Sequence, residues 1–161
     1  MQISNETIQL LKNFAAINSN ILIRKGSTLS TISTAKNIFA KATVAEDFPV
    51  EVAVYDLNSL LALLTLMENQ DVEFGEKSLT ISKNNGKFEY FYSNANVIVA
   101  APDKSIEIDS HFIFQLTAED VNMIIKAANI TAAPTISVIA KNGTVSLTIG
   151  DKKNDTANTY K

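Results

Sequence analysis

The chain writes one pattern nearly three times: a short strand, a helix, then two strands joined at a tight turn. The first and third copies are the closest. Ser4 precedes a helical run with Leu10, Leu11 and Ile17 on its apolar side, and Thr117 precedes another with Met123, Ile124 and Ile130. Ser4 and Thr117, like Ile17 and Ile130, lie 113 residues apart. Each helix is followed by an apolar strand (Ile21 to Arg24, Ile136 to Ile139), a turn glycine (Gly26, Gly143) and a second strand (Thr28 to Ser33, Thr144 to Ile149). A looser middle copy runs through Val50 to Tyr55, a helix from Leu57, and strands at Val72 to Phe74 and Leu79 to Ser82. Repetition of this kind means a fold built from one recurring supersecondary unit. The spacing sets a module of roughly 110 residues, an ordinary domain size. A chain of 161 residues then holds one module, 1–104, and the first half of a second, 105–161.

A helix with one apolar face must cover a sheet. The expected fold is therefore α+β, with helices on one face of antiparallel sheets. Met1 to Ser4 reads as a strand leading into the Ser4 cap of a helix over Asn5 to Asn18. Lys36 to Val44 alternates as a strand, and Glu46 and Asp47 read as a charged turn before a strand from Phe48 to Tyr55. Asp56 caps a helix from Leu57 to Glu68. Strands follow near Val72, Leu79 and Phe88, with Asn84-Asn85-Gly86 a hairpin turn. At strand spacing, Phe88, Tyr90, Phe91 and Tyr92 read as sheet-face residues. Ser93 to Ser105 breaks the rhythm and reads as a connector, and Ile106 to Leu116 as the next strand. Thr117 and Asp120 form a capping box for a helix to about Ile130. The tail from Asp151 is polar, with Thr156 to Tyr160 as a candidate strand.

Catalytic signals are absent from the sequence. There is no cysteine, and His111 is the single histidine, so no thiolate chemistry and no histidine pair for a metal is available. No P-loop, Gly-x-Gly-x-x-Gly or Gly-x-Ser-x-Gly is present. Acidic pairs such as Glu46-Asp47 and Asp71/Glu73 sit where solvated turn charge is the simpler reading. No enzyme, cofactor or metal is expected. No leader with a charged start and an apolar core is visible. The most apolar stretch, Leu57 to Met67, is too short to span a bilayer, so no membrane partner is expected.

Charge placement is more telling than the net charge of −3. The polar faces of the three helices carry Gln9, Lys12, Asn13 and Ala16; Asn58, Ala62, Thr65 and Asn69; and Asn122, Lys126, Asn129 and Ala133. Beyond the first turns these faces hold two lysines and no carboxylate until Glu68. Glu6, Glu119 and Asp120 sit at helix N-termini, where they complement the dipole. The other acids crowd into strands and turns. Lysine and amide side chains can hydrogen-bond phosphate without reading bases. Wet helix exteriors also carry Lys, Asn and Gln for no reason but solvation. A polyanion-binding face and a plain scaffold that binds protein partners and no DNA both fit the pattern.

Three runs point to a family. Leu10-Leu11-Lys12-Asn13-Phe14-Ala15-Ala16-Ile17-Asn18-Ser19 resembles the first helix of the T-even-type bacteriophage sliding clamps. Val52 to Asn58 resembles their second helix entry, and Val97 to Lys104 their connector. The resemblance spans Met1 to about Gly150. It implies a DNA polymerase processivity factor without catalytic activity, acting in the cytoplasm of a phage-infected bacterial host. It implies a trimeric ring of two-domain subunits around duplex DNA, with helices lining the hole and sheets outside. An ATP-driven clamp loader would place it, and polymerase peptides would dock near the connector. By matching position, Lys12, Asn13, Asn58, Asn122, Lys126 and Asn129 would face DNA. Val97, Ile98, Val99 and Pro102 would border the partner groove. The chain stops before the second domain of such a clamp would end, which leaves ring closure open.

Overall fold

Helix α1 (Asn5–Ile17) starts where Ser4 Oγ accepts the Thr7 N–H at 3.2 Å, one of the donors that a helix start leaves unpaired. Its second anchor comes from far along the chain. The Glu46 carboxylate accepts the Ser4 N–H and the Thr7 hydroxyl, each at 2.6 Å. Glu46 is only 8% exposed. Burial pushes its carboxyl up, but the hydrogen bonds from Thr7 and Ser4 outweigh burial and hold it below the ordinary 4.5.

This computed structural model describes residues 1–67, 69–103, 109, 112–151 and 153. The chain divides into two units, Met1–Ser105 and Ile106–Lys161.

In the first unit, α1 is followed by β1 (Ile21–Ile23), β2 (Gly26–Ile32), β3 (Phe39–Phe48), β4 (Val52–Val54), α2 (Leu57–Leu66), β5 (Asp71–Phe74), β6 (Ser78–Lys83) and β7 (Gly86–Phe91). All strand pairs are antiparallel: β1 with β4, β2 with β3, and β5-β6-β7 in order. Gly26, at φ 108°, starts β2 at a register shift that lets the chain turn out of β1. The core lies between the helices and one side of the strands. Ile8, Leu11 and Phe14 of α1 and Leu57, Leu60, Leu61 and Leu64 of α2 meet Ile23, Leu29, Val54, Val72 and Ile81. The period-2 alternation of β6, with Leu79 and Ile81 inward and Ser78 and Thr80 half-exposed, is the strand counterpart of those helical stripes.

The second unit holds α3 (Ala118–Thr131), β8 (Thr135–Lys141) and β9 (Thr144–Gly150). Thr117 and Asp120 form the expected capping box. Asn142 and Gly143, both at positive φ, make the two-residue turn of the β8-β9 hairpin. Helix α3 packs against β9, and Ile149 is fully buried there.

Several sequence expectations change. Glu46 and Asp47 are not a turn: β3 runs through them, and Glu46 takes an inward place in the alternation with Ala42, Val44 and Phe48. Hydrogen bonds to α1 make a carboxylate tolerable at that inward position. The strand expected from Phe48 to Tyr55 shrinks to Val52–Val54, and the one expected from Lys36 begins at Phe39. Met1 to Ser4 forms no strand, although Met1 and Val72 exchange both backbone hydrogen bonds at 2.7 Å. Residues 112–116 also lie in no strand. The remainder of that expected strand, with His111, Glu68 and the candidate strand Thr156 to Tyr160, lies outside the described residues, apart from Asp109. Tyr90 and Tyr92 pack against the core as expected of a sheet face, whereas Phe91 points to solvent.

Replacing Glu46 with Ala leaves the Ser4 N–H and Thr7 hydroxyl unpaired. The expected cost is about 1–3 kcal/mol at pH 7, read by urea denaturation. Because the folded carboxyl titrates below its unfolded value, its contribution is whole above about pH 4.5 and fades as pH falls through the folded value. The stability gap between wild type and Glu46→Ala should therefore narrow in acid. An equal gap at all pH values would show that the carboxylate charge plays no part.

Candidate nucleic-acid interface and connector

Helices α1 and α2 pack side by side and leave a groove of about 480 Å³ lined by Lys12, Asn58, Leu61, Ala62, Thr65 and Leu66. Lys12 and Asn58 thus share one groove. Asn13, Gln9 and Ala16 of α1 and Ala62, Thr65 and Asn69 beside them are all exposed. The apolar stripes face the strands, so the polar positions between them can only face out. Helix α2 contains no charged residue, and α1 holds one carboxylate, Glu6 in its first turn. The Asp56 carboxylate at the α2 start is engaged by the Ser59 hydroxyl and N–H at 2.6 and 3.1 Å, which hold it below its ordinary value. Within Asn5–Ile17 and Leu57–Leu66, Lys12 is therefore the one formal charge beyond the first helical turns.

On α3, Asn122, Lys126 and Asn129 are exposed at i, i+4 and i+7, opposite the half-buried Ile124, Ala127 and Ala128. The carboxylates Glu119 and Asp120 are confined to the first turn. Asp120 accepts from the Thr117 hydroxyl and N–H, and those bonds lower its carboxyl.

The connector is pinned rather than loose. Ser93 N–H donates to Ala53 O at 2.8 Å, and one turn of 3-10 helix follows at Ala95–Val97. Beyond it, Ile98 and Ala100 pack on Leu22 and Ala53, which are register partners on the side of β1-β4 facing away from the helices. That explains why β1 and β4 are buried along their whole length. Asn18, the C-cap of α1, is 4% exposed. Its Nδ2 donates to Ile32 O at 2.8 Å and Val99 O at 3.0 Å, and its Oδ1 accepts from Asn20 N–H. Arg24 Nη2 donates to Ala101 O at 2.8 Å. Of the four connector residues singled out from sequence, Val97 and Pro102 are exposed, Val99 is half-buried and Ile98 is buried against Leu22 and Ala53. Pro102 lines a cleft of about 450 Å³ whose walls include Arg24, Lys25, Lys41, Glu51 and Phe39. Sequence reasoning missed Asn18 and Arg24 as connector anchors. An asparagine at a helix end was the available signal, but its partner lies 81 residues away.

A profile of DNA polymerase processivity factors matches residues 4–100. The chain belongs to that family, the phage sliding clamps. The sliding clamp of Vibrio phage KVP40 is 34% identical over 153 residues, covering 92% of this chain and 69% of the clamp. That of Enterobacteria phage T4 is 30% identical over 160 residues, covering 98% of this chain and 70% of the clamp. That of Escherichia phage RB69 is 30% identical over 149 residues, covering 90% and 64%. A solved proliferating cellular nuclear antigen from Entamoeba histolytica overlays loosely, with TM-score 0.44 and 14% identity over 95% of this chain and 69% of the other. This sliding clamp is a processivity factor and not an enzyme. No helix among its described residues is long and apolar enough to cross a membrane.

Asn18→Ala removes both cross-links between the α1 end, β2 and the connector. The expected loss is about 1–3 kcal/mol, and amide exchange across residues 93–101 should accelerate more than exchange within β6. Unchanged connector protection would show that the Ile98 contact suffices without Asn18.

Proposed function

We propose that this sliding clamp contacts duplex DNA through the polar faces of its helices, without reading sequence. Lys12, Asn13 and Asn58 of the first unit and Asn122, Lys126 and Asn129 of the second would face phosphates. The observation that carries this is the groove between α1 and α2. There, Lys12 and Asn58 meet between two helices whose residues, Asn5–Ile17 and Leu57–Leu66, include no carboxylate beyond the first turns, in a chain whose net charge is −3. A duplex repels carboxylates and accepts hydrogen bonds from lysine and amide groups. One lysine per unit gives weak, salt-sensitive binding, which suits a protein that must slide.

In this reading residues 1–104 are a complete clamp module and 105–161 the first half of another. Several copies surround the duplex, as a trimeric ring in the whole clamp, placed by an ATP-driven loader in the cytoplasm of the infected host. Polymerase peptides dock beside the connector, with Val97, Val99 and Pro102 toward the peptide and Ile98 as the buried anchor. Pinning by Asn18 and Arg24 supports that part: a rigid strap loses little entropy when a peptide lies along it.

Two variants test the two surfaces. Lys12→Glu with Lys126→Glu, both exposed, should weaken retention on nicked duplex and lower its salt slope by about one for each phosphate no longer neutralised. The fold, read by circular dichroism, should not change. Unaltered retention and processive synthesis would favour a protein scaffold that does not touch DNA. Val97→Asp should lower affinity for the polymerase C-terminal peptide about tenfold. Unchanged affinity would remove the connector from the docking site.

A further inference from the structure

Two buried side-chain polar atoms have no hydrogen-bond partner among the described residues, Thr31 Oγ1 and Gln70 Nε2. Buried donors are nearly always paired, so an unpaired one calls for a reason. Gln70 is 1% exposed. The backbone around it is fixed on both sides. Asn69 turns at φ 55°, and β5 begins at Asp71, opposite Ser82. Val72 N–H donates to Met1 O at 2.7 Å.

Gln70 is the buried wall of a small cleft of about 80 Å³ between α1 and α2. Its other polar walls are Asn5, Gln9 and Lys12 of α1 and Thr65 of α2, all exposed. Ile8 and Leu64 complete it. The polar set is one ammonium, three amides and one hydroxyl, and no carboxylate lines the cleft. The start of α1 adds nothing to it, because the Ser4 and Thr7 N–H groups already donate to Glu46 and Ser4. An ammonium without carboxylates disfavours a metal cation. A small oxyanion suits the set, since its several acceptor oxygens can engage ammonium and amides together. Lys12 and Thr65 also line the larger groove proposed to meet the duplex, so the cleft is a side pocket of that groove.

We propose that this cleft seats one backbone phosphate of the duplex. Lys12 supplies the charge at the rim, and Gln70 Nε2 donates from the buried wall. The proposal rests on the DNA-facing reading of the helices and deepens it: in the first unit, contact is made at a built seat as well as along a polar face. Phosphates recur at every nucleotide, so the seat reads no sequence. Helix α3 does not repeat the donor set. At the spacing of 113 residues, Lys12 is matched by Ile125 and Asn5 by Ala118.

Gln70→Met keeps the length of the side chain and removes the donor. In the 161-residue chain it should lower affinity for a short duplex about tenfold, as expected for one hydrogen bond to a charged group, without lowering the melting temperature. A Gln70 that serves only the fold gives the opposite, a lower melting temperature at unchanged affinity. Nuclear magnetic resonance of the wild type supplies a readout that needs no variant. The Gln70 side-chain amide protons should shift saturably when duplex is added in phosphate-free buffer, and should not shift with a duplex whose backbone is neutral methylphosphonate. Inorganic phosphate, added without DNA, separates the two sources of phosphate. A shift with charged duplex, whether or not inorganic phosphate also gives one, supports the backbone as the source. A shift with inorganic phosphate and none with duplex overturns it. Equal shifts with charged and neutral duplex, or no shift with any probe, as a resident water would give, also overturn it. If Lys12→Glu with Lys126→Glu weakens duplex binding and Gln70→Met does not, the seat falls while the polar-face reading stands. If neither weakens it, both fall.

Discussion

In residues 1–105 each helix and sheet has one apolar side, and the architecture follows from how those sides close on each other through backbone and core together. The β1-β4 ladder and the Met1-Val72 pair fix the register, and the leucines of α2 meet Ile8, Leu11 and Phe14 across the seam. Burying seventeen apolar side chains in one cluster dominates the stability of this unit. The helices are held to one side of the strands, so their polar faces share a surface. The proposed DNA-facing surface is thus a by-product of the core: whatever stripe does not face the strands faces out.

The same closure explains the connector. Strands β1 and β4 are short and central, and their second side would be bare without cover. Ile98 and Ala100 supply it. A strap that completes a core must keep its position, and Asn18 and Arg24 hold it by its carbonyls. The connector is therefore a packing element, and in the proposed function the same rigidity makes it a preformed edge for a partner peptide. The Arg24–Asp103 ion pair, at 3.6 Å with Asp103 largely exposed, adds little beside those hydrogen bonds.

What could be read from the sequence was what is decided locally. Asp56 and Thr117 announce helix starts because their partners, Ser59 and Asp120, lie three residues on. The Asn142-Gly143 turn and the helical stripes are equally short-range, and the repeat pointed to the α+β architecture. Glu46 misled because its meaning lies 39 and 42 residues away, at Thr7 and Ser4. Residues 112–116 carry a strand-like pattern but have no strand beside them among the described residues, and a strand exists only with a neighbour. The resemblance sets Ile98 at the border of the partner groove, and nothing nearby in sequence hints at Leu22 beneath it. Residue types and helical spacing put Lys12 and Asn58 on polar helix faces, and the family resemblance assigned those faces to DNA. Their convergence in one groove needed the packing of α1 on α2.

The central claim is that duplex lies against the helix side and away from the strands. Photo-crosslinking from a benzophenone side chain, at Asn58 on α2 or at Glu73 on β5, tests it in the clamp loaded on a nicked duplex. Both positions are exposed, so neither probe disturbs the core. The account expects covalent DNA adducts from position 58 and none above background from position 73. Adducts from position 73 with none from 58 would contradict it outright.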